Sequence, residues 1–279
     1  MRGNKYDGQE KMNNIPTPTH HPVAAPATAL VVIRPAEGQH LIGRAVAALP
    51  QVQARTRSGR MVIVGGSTTR HVVWALTGSD PGLESFAVGW VRDGVLGETP
   101  AAGRGPGPLL FEEGVQTRGW PAPLLDRFTA GDVYIKGANA IDAQGNAAVL
   151  IGSPTGGTIG AALAILLARG GQLILPVSLG KTIPSVPAAC GLLGQGRLER
   201  VMGTPVGYIP IMAGCATLIT EIDALRLLCG VEATLVAAGG VADCTGAIIL
   251  HLQGQPEQLD NAWNLLSAIR EGRGATVSA

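Results

Sequence analysis

The chain has 279 residues, 46% of them hydrophobic and 15% charged, with a net charge of +1, which is apolar material enough for one large core or two smaller ones. No Lys/Arg run is interleaved with aromatics, which argues against a nucleic-acid or membrane surface and for a small-molecule partner. The longest apolar stretch, residues 159 to 168, is too short to span a bilayer, and residues 1 to 27 lack the apolar core of a secretory signal, so a soluble, cytoplasmic protein is expected.

In chain order, residues 1 to 28 mix proline, glycine and polar residues without periodicity and are expected to form a disordered tail. LVVI (30 to 33) reads as a strand, HLIGRAVAAL (40 to 49) as a helix, MVIVGG (61 to 66) as a buried strand and TTRHVVWAL (68 to 76) as a helix. FAVGWVRDGVLGE (86 to 98) has the Asp-Gly bend of a hairpin. After a Gly/Pro loop and a short apolar segment, PAPLLDRF (121 to 128) reads as a helix and DVYIKG as a strand. AQGN reads as a turn, AAVLIGS (147 to 153) as a strand, TIGAALAILLARG (158 to 170) as a helix and QLILPVSL (172 to 179) as a strand. Strands alternating with helices predict an α/β fold: a Rossmann-like, mostly parallel sheet with helices on both faces, over residues 29 to 207.

From residue 208 to 275 the pattern changes to strand, helix, strand, strand, helix: YIPIMAG, TEIDALRLLCG, VEATLVAAGG, TGAIILHLQG and PEQLDNAWNLLSAIREG. That is a C-terminal ferredoxin-like α+β unit short of one strand. The missing strand is expected either from the N-terminal LVVI or from a second copy of the chain, and an open strand edge makes a homo-oligomer the expectation.

Two turns carry the signature of an anion cradle. In VIVGGSTTRHVVWAL, Gly65 and Gly66 let backbone amides approach a ligand, and Ser67, Thr68 and Thr69 fall where a helix begins with unpaired N–H groups. The plainer reading is a tight βα turn whose hydroxyl caps the helix. GSPTGGTIGAALAILL repeats the device with Thr155, Gly156, Gly157 and Thr158, without the GxxxxGK[ST] of a P-loop. Two such turns at strand ends are expected to meet at the carboxyl edge of the sheet. His71, among Val72, Val73 and Trp74, reads as a packed histidine.

Lysine usage points to the same edge. The chain has four lysines against seventeen arginines, and only Lys136 and Lys181 fall outside the N-terminal tail. Lys181 follows a strand directly, where it can neutralise an anion or, between apolar walls, do acid/base or imine chemistry. In KGANAID, Asn139 and Asp142 sit beside Lys136; the Asp142 carboxylate can act as a general base or simply bond turn amides. The four cysteines show no CxxC and no histidine at metal-ligand spacing, so reduced thiols are expected, with neither a metal nor another cofactor.

Taken together, GGSTT at 65 to 69, GANAID at 137 to 142, GSPTGG with its helix, and Lys181 after ILPVSLG resemble the superfamily of ribose-5-phosphate isomerase, glucosamine-6-phosphate deaminase, the coenzyme A transferases and initiation-factor 2B-like proteins, over roughly residues 60 to 185. The resemblance implies a phosphorylated sugar or other anionic metabolite held at the carboxyl edge, with isomerase or lyase chemistry. Where the isomerases carry an Asp-Glu pair this chain has Asn139 and Ala140, so Asp142 is expected to carry the proton, beside Lys181. The initiation-factor-like relatives imply the alternative: a non-catalytic ligand sensor or assembly subunit.

Overall fold

The computed structural model describes residues 26 to 272. It begins with β1 (Ala27–Ile33), α1 (Pro35–Ala48), α2 (Pro50–Arg55), β2 (Arg60–Ile63) and α3 (Ser67–Thr77). A short α4 (Leu83–Phe86) leads into one hairpin, β3 (Gly89–Arg92) and β4 (Val95–Glu98), and then a second, β5 (Leu109–Glu112) and β6 (Val115–Arg118). The middle of the chain is α5 (Ala122–Leu125), β7 (Val133–Ile135), β8 (Ala140–Ile141), β9 (Ala147–Ile151), α6 (Gly157–Arg169), β10 (Gln172–Pro176) and α7 (Val186–Cys190). It ends with β11 (Gly207–Ile211), β12 (Thr217–Ile219), α8 (Glu221–Cys229), β13 (Glu232–Gly239), β14 (Ala247–Gly254) and α9 (Pro256–Arg270).

The architecture is mixed α/β around a six-stranded sheet of order β12-β10-β7-β2-β5-β6. β12, β10, β7 and β2 run parallel, and the β5–β6 hairpin adds two antiparallel strands beside β2. Three of the five pairings are parallel, so the sheet is mostly parallel but mixed. The two antiparallel pairings come from the LLFEEGVQTR hairpin, which by sequence is only a short apolar segment. Glu113 and Gly114 both take positive φ at its bend, as Asp93 and Gly94 do in the anticipated hairpin, and that two-residue turn matches strand twist.

Period-two alternation feeds two cores. Met61, Ile63, Val133, Ile135 and Ile174 face one way, against α1, α3, α8 and the C-terminal strands. Val62, Tyr134, Leu173 and Leu175 face the other, against α5, α6, β9 and β11. Each such buried aliphatic side chain contributes about 1.5–3 kcal/mol relative to exposure. Gly43 lets α1 and α3 approach closely, since a Cβ there would stand 2.5 Å from that of His71. His71 is buried, stacked with His40 and near Trp74 at centroid distances of 5.3 and 5.9 Å.

The C-terminal strands differ from expectation in one place. The segment read as the first strand of that unit, β11, pairs antiparallel with β9 in a separate β11-β9-β8 sheet. The three-residue β12, too short to announce itself by alternation, joins the edge of the six-stranded sheet beside β10. The missing strand is supplied by the chain's own N-terminus: β1 runs antiparallel to β14 from Ala27↔Gly254 to Ile33↔Ile248. Most of the anticipated tail lies outside the described residues, and its last two, Ala27 and Thr28, belong to β1. Among the described residues no helix is long and apolar enough to cross a membrane.

Candidate functional site

Four adjacent parallel strands end side by side, and each presents a polar group just beyond its carboxyl end. β2 leads into Gly65 and Gly66, β7 into Lys136, β10 into Ser178 and Lys181, and β12 into Thr220 and Glu221. Main-chain bonds continue the ladder past the strand ends and fix this alignment: Val64 N–H to Ile135 O at 2.9 Å, Lys136 N–H to Ile174 O at 3.1 Å, Val177 N–H to Ile219 O at 3.0 Å. Ligands of open α/β sheets bind at such an edge.

A cleft of about 500 Å³ opens there, a volume suited to a small metabolite. Its floor holds Gly65, Gly66, Ser67 and Thr68 from the first turn, Lys136 to Asn139 from the second segment, and Lys181. Its outer wall is the β3–β4 hairpin with Trp90 and Arg92, and residues 149, 150, 152, 204 and 206 close the far side. The hairpin is tied down by Leu96 N–H to Met202 O at 2.9 Å and Thr204 N–H to Leu96 O at 2.8 Å.

The first glycine-rich turn is held from within. Thr69 is fully buried and its hydroxyl donates to Val64 O at 2.6 Å, so Thr69 braces the turn instead of facing the cleft. Gly65 has a packing reason: a Cβ there would stand 1.7 Å from the Phe86 carbonyl oxygen. Gly137 has none, and Gly66 a slight one. Gly66 takes extended backbone with φ 172°. A Cβ on it would meet only the Thr69 hydroxyl at 3.2 Å, and one on Gly137 nothing nearer than 3.9 Å. Both leave open floor at the mouth of α3, whose first N–H groups have no helical partner.

The two lysines differ in how they are held. Lys181 Nζ donates to Ala138 O at 2.7 Å. Burial pulls the Lys181 ammonium down, partly opposed by Glu221. Glu221 in turn is buried, accepts from Ser178 Oγ at 2.5 Å and from Leu179 N–H at 2.9 Å, and is pushed up by burial against those donors. Lys136 has no hydrogen bond or ion pair to its Nζ among the described residues. Burial, with the neighbouring Lys181 charge adding to it, brings Lys136 down to about 8. The remaining cleft charges are paired: Glu84 with Arg92 at 2.9 Å and Glu98 with Arg104 at 2.8 Å.

Two anticipated groups lie elsewhere. Asp142 does not line the cleft; it is buried and accepts from Gln144 N–H at 3.1 Å, Asn146 N–H at 2.9 Å, Asn146 Nδ2 at 3.0 Å and Val186 N–H at 3.0 Å. Burial pushes that carboxyl up, and the four donors outweigh it and hold it low. This is the turn-bonding alternative. The second glycine turn faces a shallower hollow of about 270 Å³ with Tyr208 and Ile209. There Ser153 and Thr155 hydroxyls bond each other at 3.0 Å, and the Thr158 carbonyl accepts from the Tyr134 hydroxyl at 2.8 Å. Gly156 and Gly157 take φ of 82° and 57°, so the backbone itself calls for glycine there.

Sequence reasoning passed over Gly137, Ser178, Glu221 and the Trp90–Arg92 wall. Glu221 had a signal, an acid in the first turn after the Thr220 cap; the hairpin's place over the cleft had none. Asn139 does line the cleft, its Oδ1 accepting from Leu150 N–H at 3.1 Å. Among the described residues no group of three or more His, Cys, Asp or Glu side chains is placed to hold a metal ion. Compared with known proteins, the chain matches no family model and no curated relative.

Proposed function

We propose that this cleft binds a small anionic metabolite, a phosphorylated sugar or a related phosphate or carboxylate, and acts on it as an isomerase or lyase. One observation carries the reading: the open mouth of α3 at Gly66 to Thr68 and both lysines of the described chain line a single cleft. The helix end attracts negative charge, and the lysines neutralise it. Four parallel strands with helices on both faces support a Rossmann-like reading of the main sheet. The β1-β14-β13 sheet with α8 and α9 supports the ferredoxin-like reading of the C-terminal part. The likeness to the phosphosugar isomerase and coenzyme A transferase superfamily fits the same placement. A homo-oligomer keeps one support, the exposed edge strand β13.

A second reading, a non-converting ligand sensor, is favoured by the carboxylates of the cleft lining, Glu84 and Glu98, each being paired with an arginine. Thermal-shift titration with inorganic phosphate, sugar phosphates and coenzyme A tests both. Stabilisation should appear in the wild type and weaken about tenfold or more in Lys181→Met, since a charged hydrogen bond contributes about 1.5–3 kcal/mol. A ligand that stabilises and is turned over identifies the enzyme; one that stabilises and stays intact identifies the sensor. If no anion at millimolar concentration moves the melting temperature, both readings fall.

A further inference from the structure

Resting on that anion-binding reading, we infer that Lys136 is the catalytic nucleophile of the cleft, and that its substrates are aldehydes or ketones carrying a phosphate or carboxylate, which it captures as an imine. The geometry separates the two lysines into two tasks. Lys181 spends one of its N–H donors on Ala138 O at 2.7 Å and is thereby held in place for the anionic end. Lys136 lines the same cleft, and among the described residues none bonds its amine. The backbone beside it leaves room for a carbon centre to form: Gly137 has no neighbour nearer than 3.9 Å to where a Cβ would be.

An amine is nucleophilic only as the free base. At pH 7.5 an ordinary lysine is unprotonated in about one molecule in a thousand. A proton affinity brought down to about 8 leaves roughly a quarter of Lys136 free. The neighbouring Lys181 charge contributes to that, and it also receives the substrate anion at a distance from the amine. Were the anion to sit on Lys136 itself, it would favour the ammonium and silence the nucleophile.

The chemistry balances without any co-reactant. The Nζ lone pair forms a C–N bond to the carbonyl carbon while the C=O π pair moves to oxygen. A proton passes from nitrogen to that oxygen, giving a carbinolamine. The C–O bond then breaks as oxygen leaves with a second proton as water, and the nitrogen lone pair closes the C=N bond. Amine plus carbonyl thus becomes imine plus water, and protonation of the imine makes it an electron sink for an adjacent C–H or C–C bond. The Ser67 and Thr68 hydroxyls on the cleft floor are available to relay protons.

The test is reductive trapping. The full chain is incubated with glyceraldehyde 3-phosphate or with pyruvate, reduced with borohydride, and mapped by peptide mass spectrometry. The expected product is a stable adduct on Lys136, heavier by the probe's mass less one oxygen. Its yield should be at least about tenfold above that on Lys5 or Lys11, a conservative share of the difference in free-amine fraction. Lys136→Arg keeps the charge and cannot form the imine, so it should lose the adduct while retaining stabilisation by inorganic phosphate. If phosphate stabilises the wild type but Lys136 is labelled no more than Lys5 and Lys11, the imine is wrong and the anion site stands. If phosphate gives no stabilisation, the anion reading fails and this inference goes with it. Should Lys136→Arg not fold, the wild-type site map alone decides.

Discussion

The two glycine-rich turns, at 65 to 69 and 152 to 158, read almost alike in sequence, and the structure gives them different work. Both follow a buried strand, both put two glycines and hydroxyls ahead of a helix. The first follows β2, whose parallel neighbour β7 delivers Lys136 beside it. The second follows β9, whose neighbours β8 and β11 are antiparallel and bring no lysine. The glycines differ as well. Gly156 and Gly157 satisfy their own left-handed backbone, whereas Gly137 is demanded by neither backbone nor neighbours and Gly66 only by the Thr69 hydroxyl 3.2 Å from its Cβ position. A glycine unexplained from inside the chain is the better pointer to something outside it.

The largest effect should come where the first turn is packed most tightly. Gly65→Ala drives a Cβ to 1.7 Å from the Phe86 carbonyl oxygen, so urea unfolding should show a loss of about 3 kcal/mol or more. Gly156→Ala, strained only by its positive φ and a 3.0 Å approach to Gly160 Cα, should cost about 1–2 kcal/mol and leave phosphate stabilisation untouched. If Gly156→Ala abolished that stabilisation, the second turn would belong to the site after all.

Asp142→Asn should be comparable, at about 1–2 kcal/mol, because an amide nitrogen would face N–H donors now served by a carboxylate. Anion binding should survive it, which separates a turn residue from a proton carrier. Gly66→Ala should be smaller still in stability, under about 1 kcal/mol, yet weaken phosphate binding roughly tenfold by occupying the floor at the mouth of α3. Equal loss at Gly66 and Gly156, read as thermal shift against phosphate concentration, would erase the distinction between the turns.

How much of this was legible beforehand follows from what each signal depends on. The central strands and their helices announced themselves through apolar runs and glycine stops, and the Asp-Gly hairpin through its bend. Lys136 and Lys181 were picked out by the scarcity of lysine. Their roles were not readable, because a hydrogen bond to Ala138 O depends on two segments 43 residues apart meeting at one edge. The second turn misled for the same reason: which strands flank β9 is a property of pairing, and local sequence says nothing of it. Asp142 was visible as two alternatives, and four N–H donors converging on it decide for the turn.

The smallest effect is a slope with pH, and it belongs to the first turn alone. Lys136 titrates near 8 in the fold against an ordinary 10.5, so between those values the unfolded chain binds more protons and stability must rise with pH. Below about pH 7 both states are protonated and the contribution is flat. From pH 8 to 9 the gain is about 1 kcal/mol. Higher up it is opposed, because burial raises the Cys229 thiol and the Tyr134 phenol, which lose stability as pH climbs past their ordinary values. The clean measurement is therefore the wild type minus Lys136→Met, by urea unfolding at pH 8 and pH 9. The difference should be present without ligand, persist in Gly156→Ala, and shrink only in part when phosphate is added, since an anion held at Lys181 offsets that neighbouring charge without contacting the Lys136 amine. A difference that ignored phosphate would place the anion away from Lys136 and Lys181 together, and the first turn would lose its claim over the second.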